Sequence, residues 1–312
     1  NVFFVAPGRW DLYRCAQCEC AYLDPRPNEA SIGKAYEVYY THDGDAPRPA
    51  AGASREQRLK LALVNGYLNA RYGTRRQPAS KFGVLLAGLL PRQRQKRDAA
   101  FRFLPKPSAG QKLLDVGCGN GDFLLNARDA CWDVVGIDSD PKAIEIATQR
   151  GLNARVGSID LFADQFQCFD AITLSHVLEH LHQPKQAILA VHRLLRPGGI
   201  IFVDTPNINS QGATLWGKDW RGLEAPRHLV LFSTTGLVEL LQSVGFVSVE
   251  AKRRTAVRKS IYLASLRMQA GRSPYDRRPS KLPLLMRIKL TCMAARADDD
   301  EFLTFLARKA GE

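Results

Sequence analysis

The stretch Asp115-Val116-Gly117-Cys118-Gly119-Asn120-Gly121 closes the short apolar run "KLL" and leads directly into the amphipathic "DFLLNARDA". Glycines at alternate positions between a strand pattern and a helix pattern let the backbone turn sharply and approach a ligand closely. The texture repeats. "WDVVGID" reads as a strand, and "PKAIEIATQRG" as a helix with Pro in its first turn and Gly past its end. "NARVGS" and "FDAITLS" follow as strands, "QPKQAILAVHRLLRPGG" as a helix and "IIFVDTP" as a fifth strand. The helix "TGLVELLQSVGF" then leads into "VSVEAKRR", and "EFLTFLARKAG" supplies a last strand. Such alternation predicts an α/β fold: a doubly wound, mostly parallel, Rossmann-like sheet with helices on both faces.

Two details set the loop apart from a dinucleotide-binding turn. Its spacing is GxGxG, with Asp122 at the third dinucleotide glycine position, and an acid, Asp115, precedes the first glycine. Those carboxylates would repel pyrophosphate and welcome a cationic ligand. "LLDVGCGNGDFL" resembles the first motif of class I S-adenosylmethionine-dependent methyltransferases, whose cofactor carries an ammonium and a sulfonium. The rest follows in register. Asp138 ends the second strand 17 residues after Gly121, with Asp140-Pro141 just beyond. "VGSID" ends the third strand, and "FDAITLSHVLEHL" and "LRPGGIIFVDTPN" resemble the fourth and fifth strand motifs.

The resemblance implies S-adenosylmethionine as cofactor and assigns Asp115, Gly117, Cys118, Gly119 and Gly121 to its methionine part. Asp138 and Ser139 fall to the ribose, Ser158 and Ile159 to the adenine edge, and Ser175 to the end of the fourth strand. The implied reaction is in-line transfer of the methyl group to an oxygen nucleophile, with carbon and nitrogen as alternatives. "WGKDWRGLEAPRHLVLFS" and "YRCAQCECAYLDPRPN" resemble a bacterial subgroup with an N-terminal Cys-knuckle, associated with glycan, lipid or natural-product modification. The subgroup's first, upstream CxxC is absent here, and Cys131 stands where it carries Gly. The expected organisation is a knuckle over 1–47, a basic helical cap over 48–106, and a methyltransferase domain over 107–312 with a basic helical insertion at about 252–297. Because the first residue is Asn1, the chain is expected to begin inside a longer product.

His176-Val177-Leu178-Glu179-His180 puts three metal-ligand side chains at i, i+3 and i+4, which predicts one face of a helix. A zinc-peptidase reading would need a later glutamate ligand and leaves the glycine loop unexplained. Some class I methyltransferases acting on ribose or quinol hydroxyls resemble this site, holding a divalent ion on ExxEH and a later histidine; His176 replaces the first glutamate, and His228 could be the later ligand. Without metal, His176 is a general base for a hydroxyl. In the plainest reading Glu179 and His180 only hold the loop by hydrogen bonds. Trp216 and Trp220 would lie on a segment covering the acceptor, or in the core.

Cys15 and Cys18 can donate two thiolates to zinc, but a structural site wants four ligands; Cys20 and His42 are the nearby alternatives. Seven scattered cysteines do not make a secreted disulfide framework, so a reducing cytoplasm is expected. No apolar run reaches the ~18–20 residues of a membrane span. The net charge of +13 is concentrated: residues 48–106 carry 14 basic and 2 acidic residues, and 252–290 carry 12 and 1. Residues 81–97 place an apolar stretch before an Arg/Lys cluster, and 281–293 repeat the combination. Those patterns predict contact with an anionic membrane, at its inner face, and a small-molecule, glycan or lipid-linked acceptor. Nucleic acid is the rival partner, with few aromatics among the basic residues to stack on bases. The rival functions are a basic adaptor without catalysis and an RNA 2'-O-methyltransferase that uses a divalent metal.

Overall fold

A computed structural model describes residues 9–36, 54–276, 278, 282–284 and 299–311. His42, Cys292, the 46–53 linker and most of 281–293 lie outside the described residues. Strands β1 (Leu12–Arg14) and β2 (Ala21–Leu23) pair antiparallel around a turn holding Cys15, Cys18 and Cys20. Helix α1 (Glu29–Ile32) starts on an Asn28 cap. Helix α2 (Arg55–Tyr72) opens at Ser54, whose Oγ accepts from the Gln57 amide while the Gln57 side chain accepts from the Ser54 amide. It ends at Gly73, left-handed at φ +78°.

The apolar stretch and the Arg/Lys cluster after it fall on two helices, α3 (Phe82–Leu89) and α4 (Pro91–Ala100). Leu90 breaks the run because Pro91 disfavours helical geometry in the residue before it and starts a new first turn. The helical spacing of Leu59, Leu63, Tyr67 and Ala70 predicts one buried face of α2, and of these only Tyr67 is buried. Leu59 and Ala70 are exposed, and the buried residues are Asn65, Gly66, Tyr67, Leu68 and Tyr72.

The alternating region then runs β3 (Lys112–Val116), α5 (Asp122–Asp129), β4 (Asp133–Asp138), α6 (Pro141–Gln149), β5 (Ala154–Val156) and β6 (Phe169–Ser175). It continues with α7 (Pro184–Leu194), β7 (Leu195–Pro206), α8 (Gln211–Trp216), β8 (Val230–Leu231), α9 (Thr234–Ser243), β9 (Phe246–Ala251), α10 (Arg258–Gln269) and β10 (Phe302–Lys309). Seven strands form one mostly parallel sheet in the order β5-β4-β3-β6-β7-β10-β9, with β10 antiparallel to β9. β1, β2 and β8 form a separate small sheet.

The chain divides into two compact units that do not follow chain order. One comprises residues 1–39, 174–193 and 201–312; the other comprises 40–173 and 194–200. The second unit's core is built on Leu113, Leu114, Ile137, Leu124 and Ile172, at or near zero exposure. In the first, Trp216, Trp220, Leu231 and Tyr262 cluster. Both tryptophans are thus core residues and not an acceptor cover: Trp220 is fully buried, with Nε1 donating to Glu301 Oε2 at 2.9 Å.

Candidate functional site

Within the second unit, β3 delivers Asp115 into the interior and then turns through Gly117, Gly119 and Gly121, at φ +72°, +54° and +84°. These are conformations an L side chain resists. The glycines differ in what they face. A Cβ on Gly121 would strike Leu152 Cδ1 at 2.3 Å, so this glycine serves packing against the α6 end. A Cβ on Gly119 would meet nothing within 4 Å, so the space beside it is open. The Cys118 side chain turns inward, buried against Gly136, leaving only its backbone on the loop.

Asp138, last residue of β4, braces this loop. Its Oδ2 accepts from the Gly119 amide at 2.8 Å and its Oδ1 from the Asp140 amide at 2.9 Å. Ser139 beyond it is exposed. Ser158 is also exposed and caps its own turn, accepting from the Asp160 amide at 3.2 Å, and Ile159 is half-buried. Asp115 is completely buried. Its Oδ1 receives the Arg102 guanidinium and the Thr173 hydroxyl, the latter at 2.9 Å, while its Oδ2 is buried without a partner. Burial raises the pKa of Asp115, with Arg102 opposing. The expected lone attraction of this acid for a cation is therefore tempered by an internal guanidinium. Arg102 itself stands 3.7 Å over the Phe123 ring. Sequence reading missed it, because one arginine inside a basic run looks like surface charge. Its only signal is its place between Phe101 and Phe103.

The first unit holds the acid-histidine cluster. His176, Glu179 and His180 do not share a helical face. β6 ends at the half-buried Ser175, His176 is left-handed at φ +56°, and only a three-residue 3₁₀ turn, Leu178–His180, follows. That turn separates the groups. His176 presents Nδ1 to Glu179 Oε1 at 3.3 Å and Nε2 to Asp204 Oδ2 at 3.4 Å, with both carboxylates fully buried and the imidazole 40% exposed. Burial depresses the His176 pKa, but the paired carboxylates outweigh it and the net shift is upward.

Behind it, His180 Nδ1 lies 3.1 Å from the Arg227 carbonyl, and His228 Nδ1 lies 2.8 Å from the Gly222 carbonyl. A carbonyl only accepts, so His228 Nδ1 donates, whereas His180 Nδ1 stands between the Arg227 carbonyl and the Tyr36 hydroxyl, 2.8 Å away. His228 Nε2 faces Glu224 Oε2 at 3.1 Å. One ligand atom each from Glu179, His180 and His228 lies within 4.8 Å of the others, the sole such group among the described residues. Burial and the neighbouring His228 pull His180 down to about 4, so it is neutral near pH 7. Burial disfavours the Glu179 carboxylate, yet three histidines around it lower its pKa to about 2. Glu224 is lowered too, against its burial, chiefly by His228 and Arg221. It was missed in sequence, where its only signal is its position four residues before His228.

The knuckle brings Cys15 and Cys18 side by side, but no group of three metal-ligand side chains forms there among the described residues. Cys20 Sγ instead receives the Ser233 amide at 3.4 Å. Backbone amides of Cys18 and Gln17 lower the Cys15 pKa. A backbone hydrogen bond from Cys20 favours the Cys18 thiolate, but burial and the adjoining sulfurs push Cys18 up to about 11.

A family model described as a methyltransferase domain matches residues 91–251, a little over half of the chain. The chain is 40% identical over 106 residues to the ubiquinone biosynthesis O-methyltransferase of Xanthomonas oryzae pv. oryzae, covering 32% of this chain and 44% of that protein. It is 34% identical over 112 residues to the mitochondrial ubiquinone biosynthesis O-methyltransferase of Rattus norvegicus, covering 33% and 32%. The match thus spans less than half the length of these curated relatives. A solved S-adenosylmethionine-dependent methyltransferase from Archaeoglobus fulgidus aligns with a TM-score of 0.47 at 16% identity, over 70% of this chain and 93% of that one. The family match runs across the glycine loop and its bracing acid, and the chain belongs to the class I S-adenosylmethionine-dependent methyltransferases.

Proposed function

We propose that this chain transfers a methyl group from S-adenosylmethionine to a hydroxyl oxygen of a small-molecule, glycan or lipid-linked acceptor. The observation that carries this reading is the loop: left-handed glycines, open space at Gly119, and a carboxylate bracing it from the next strand. The buried, unpartnered Asp115 Oδ2 fits a ligand ammonium, and the Asp138 carboxylate fits ribose hydroxyls. When bound, S-adenosylmethionine supplies a methyl carbon made electrophilic by its sulfonium. Asp115, Gly117 and Gly119 would hold the methionine part, and Ser139, Ser158 and Ile159 would complete the cradle. The oxygen acceptor is favoured over carbon and nitrogen because the curated relatives are named O-methyltransferases.

His176 takes the acceptor proton in this reading, with Glu179 and Asp204 stabilising the imidazolium that forms. A base must first be neutral, so turnover should rise with pH through a pKa above the ordinary histidine value. His176→Ala should lower turnover by ~10²–10⁴-fold and flatten that profile while S-adenosylhomocysteine binding, measured by isothermal titration, persists. A profile unchanged in the variant would sink the base; no binding by the wild-type chain would favour a non-catalytic adaptor. A second reading, in which a divalent ion activates the hydroxyl, is supported by the convergence of Glu179, His180 and His228, with His228 Nδ1 pinned on the Gly222 carbonyl. Activity lost to chelator and restored by added divalent ion would favour it.

A further inference from the structure

The second unit displays an apolar helix with almost nothing of its apolar surface put away. In α3 only Gly83 is buried, while Phe82, Leu85 and Leu89 are 74%, 68% and 71% exposed, with Val84, Leu86 and Leu90 exposed beside them. The cause is how α3 is attached. A Cβ on Gly83 would lie 1.9 Å from the Leu63 carbonyl oxygen, and one on Gly66 would lie 1.8 Å from that of Ser80. Backbone meets backbone through two glycines, and the bulky side chains of α3 are left outward. Soluble chains rarely leave so continuous an apolar patch without a partner.

The charge around the patch indicates the partner's chemistry. Lys81 precedes α3, and Arg92, Arg94, Lys96 and Arg97 follow on α4, all exposed. The only acids in 54–100 are engaged. Glu56 pairs with Lys60, and Asp98 accepts the hydroxyls of Tyr67 and Tyr72. Bulky aliphatic side chains beside cations without free carboxylates complement the headgroup and acyl boundary of an anionic bilayer. A protein interface would be expected to carry both signs, and a nucleic-acid surface to carry stacking aromatics, of which α3 and α4 offer only Phe82.

We propose that α3 and α4 form a docking surface for anionic phospholipid, with Phe82, Leu85 and Leu89 entering the interface and the α4 cations binding headgroups. This inference does not depend on the methyl-transfer reading. The test is co-sedimentation of the full chain with vesicles of phosphatidylcholine alone and of phosphatidylcholine with phosphatidylglycerol at roughly two to one. Binding should require the anionic lipid and fall with salt. Each basic residue near such a leaflet strengthens binding about five-fold, so Arg92→Gln with Arg94→Gln should weaken it by roughly 25-fold. Leu85→Gln with Leu89→Gln should weaken it by about ten-fold or more with the charge intact. All four positions are exposed, so thermal melts should match the wild type and separate lost binding from lost folding. Equal sedimentation with neutral and anionic vesicles, or unchanged binding of both variants, overturns the proposal. So does a wild-type dimer in light scattering that the leucine pair converts to monomer, since the face would then belong to a second copy.

Discussion

Asp138 does two things with one carboxylate. Both oxygens are spent on backbone amides, one of them on the glycine loop, so the acid that fits a ribose also sets the shape of the turn next to it. Asp138→Ala should therefore weaken S-adenosylhomocysteine binding by more than a surface contact would. A hydrogen bond to a charged group contributes ~1.5–3 kcal/mol, which predicts a loss of roughly ten- to a hundred-fold in titration calorimetry. Asp138→Asn should fall between, since an amide keeps one acceptor and turns its nitrogen toward an N–H. An unchanged dissociation constant for Asp138→Ala would remove the residue from the site. This acid was legible in sequence because strand, spacing and residue type all agreed. Arg102 was not, because an arginine buried by tertiary packing has the same letter as the nine other arginines of the basic stretch 48–106.

At the scale of elements, periodicity found the strands and helices of the alternating region but not β1, β2, β8, α1 or α8, nor which helix faces are buried. Leu59 and Ala70 of the α2 stripe lie outside because the helix packs where Gly66 lets another backbone in, and small residues carry no hydrophobic signal. Likewise i, i+3, i+4 spacing at His176 fits a helix, yet the chain takes a left-handed step there and makes one 3₁₀ turn. The α2–α3 seam gives a paired prediction on two glycines of one helix. Gly83→Ala forces a Cβ into the Leu63 carbonyl and should destabilise by about 1–3 kcal/mol, the cost of overpacking. Gly88→Ala meets nothing within 4 Å and should stabilise by up to about 1 kcal/mol through helix propensity. Denaturant unfolding of the two variants should move the midpoint in opposite directions. Equal shifts would mean the seam yields and does not hold α3 by close contact.

Across the whole molecule, the parallel strands could be read in chain order, whereas the seating of β10 between β7 and β9 could not, since nothing local marks a final strand for insertion. The acid-histidine cluster was half legible for the same reason: Asp204, Glu224 and the Tyr36 hydroxyl, 2.8 Å from His180 Nδ1, reach it from far along the chain. That C-terminal return also buries Glu301, which accepts from Trp220 Nε1 and, at 3.0 Å, from the Gly212 amide. Burial raises its pKa from 4.5 to about 7, against those two donors and Arg258. A raised acid adds stability that is fully present below its unfolded value and is lost as pH rises through the folded one. The window is therefore about pH 4.5 to 7, and a shift of this size corresponds to about 3 kcal/mol. His180, lowered to about 4, acts in the opposite sense, losing its contribution as pH falls from 6.5, so the wild-type profile alone mixes the two. Comparison with Glu301→Gln isolates the acid. The amide should cost stability at every pH, because its nitrogen cannot accept from either donor, but that cost does not titrate. The stability gap between wild type and variant, from chemical denaturation at pH 5 and pH 8, should shrink by about 3 kcal/mol toward the higher pH. A constant gap would mean that Glu301 ionises in the folded chain as readily as in the unfolded one, with the two donors compensating for its burial.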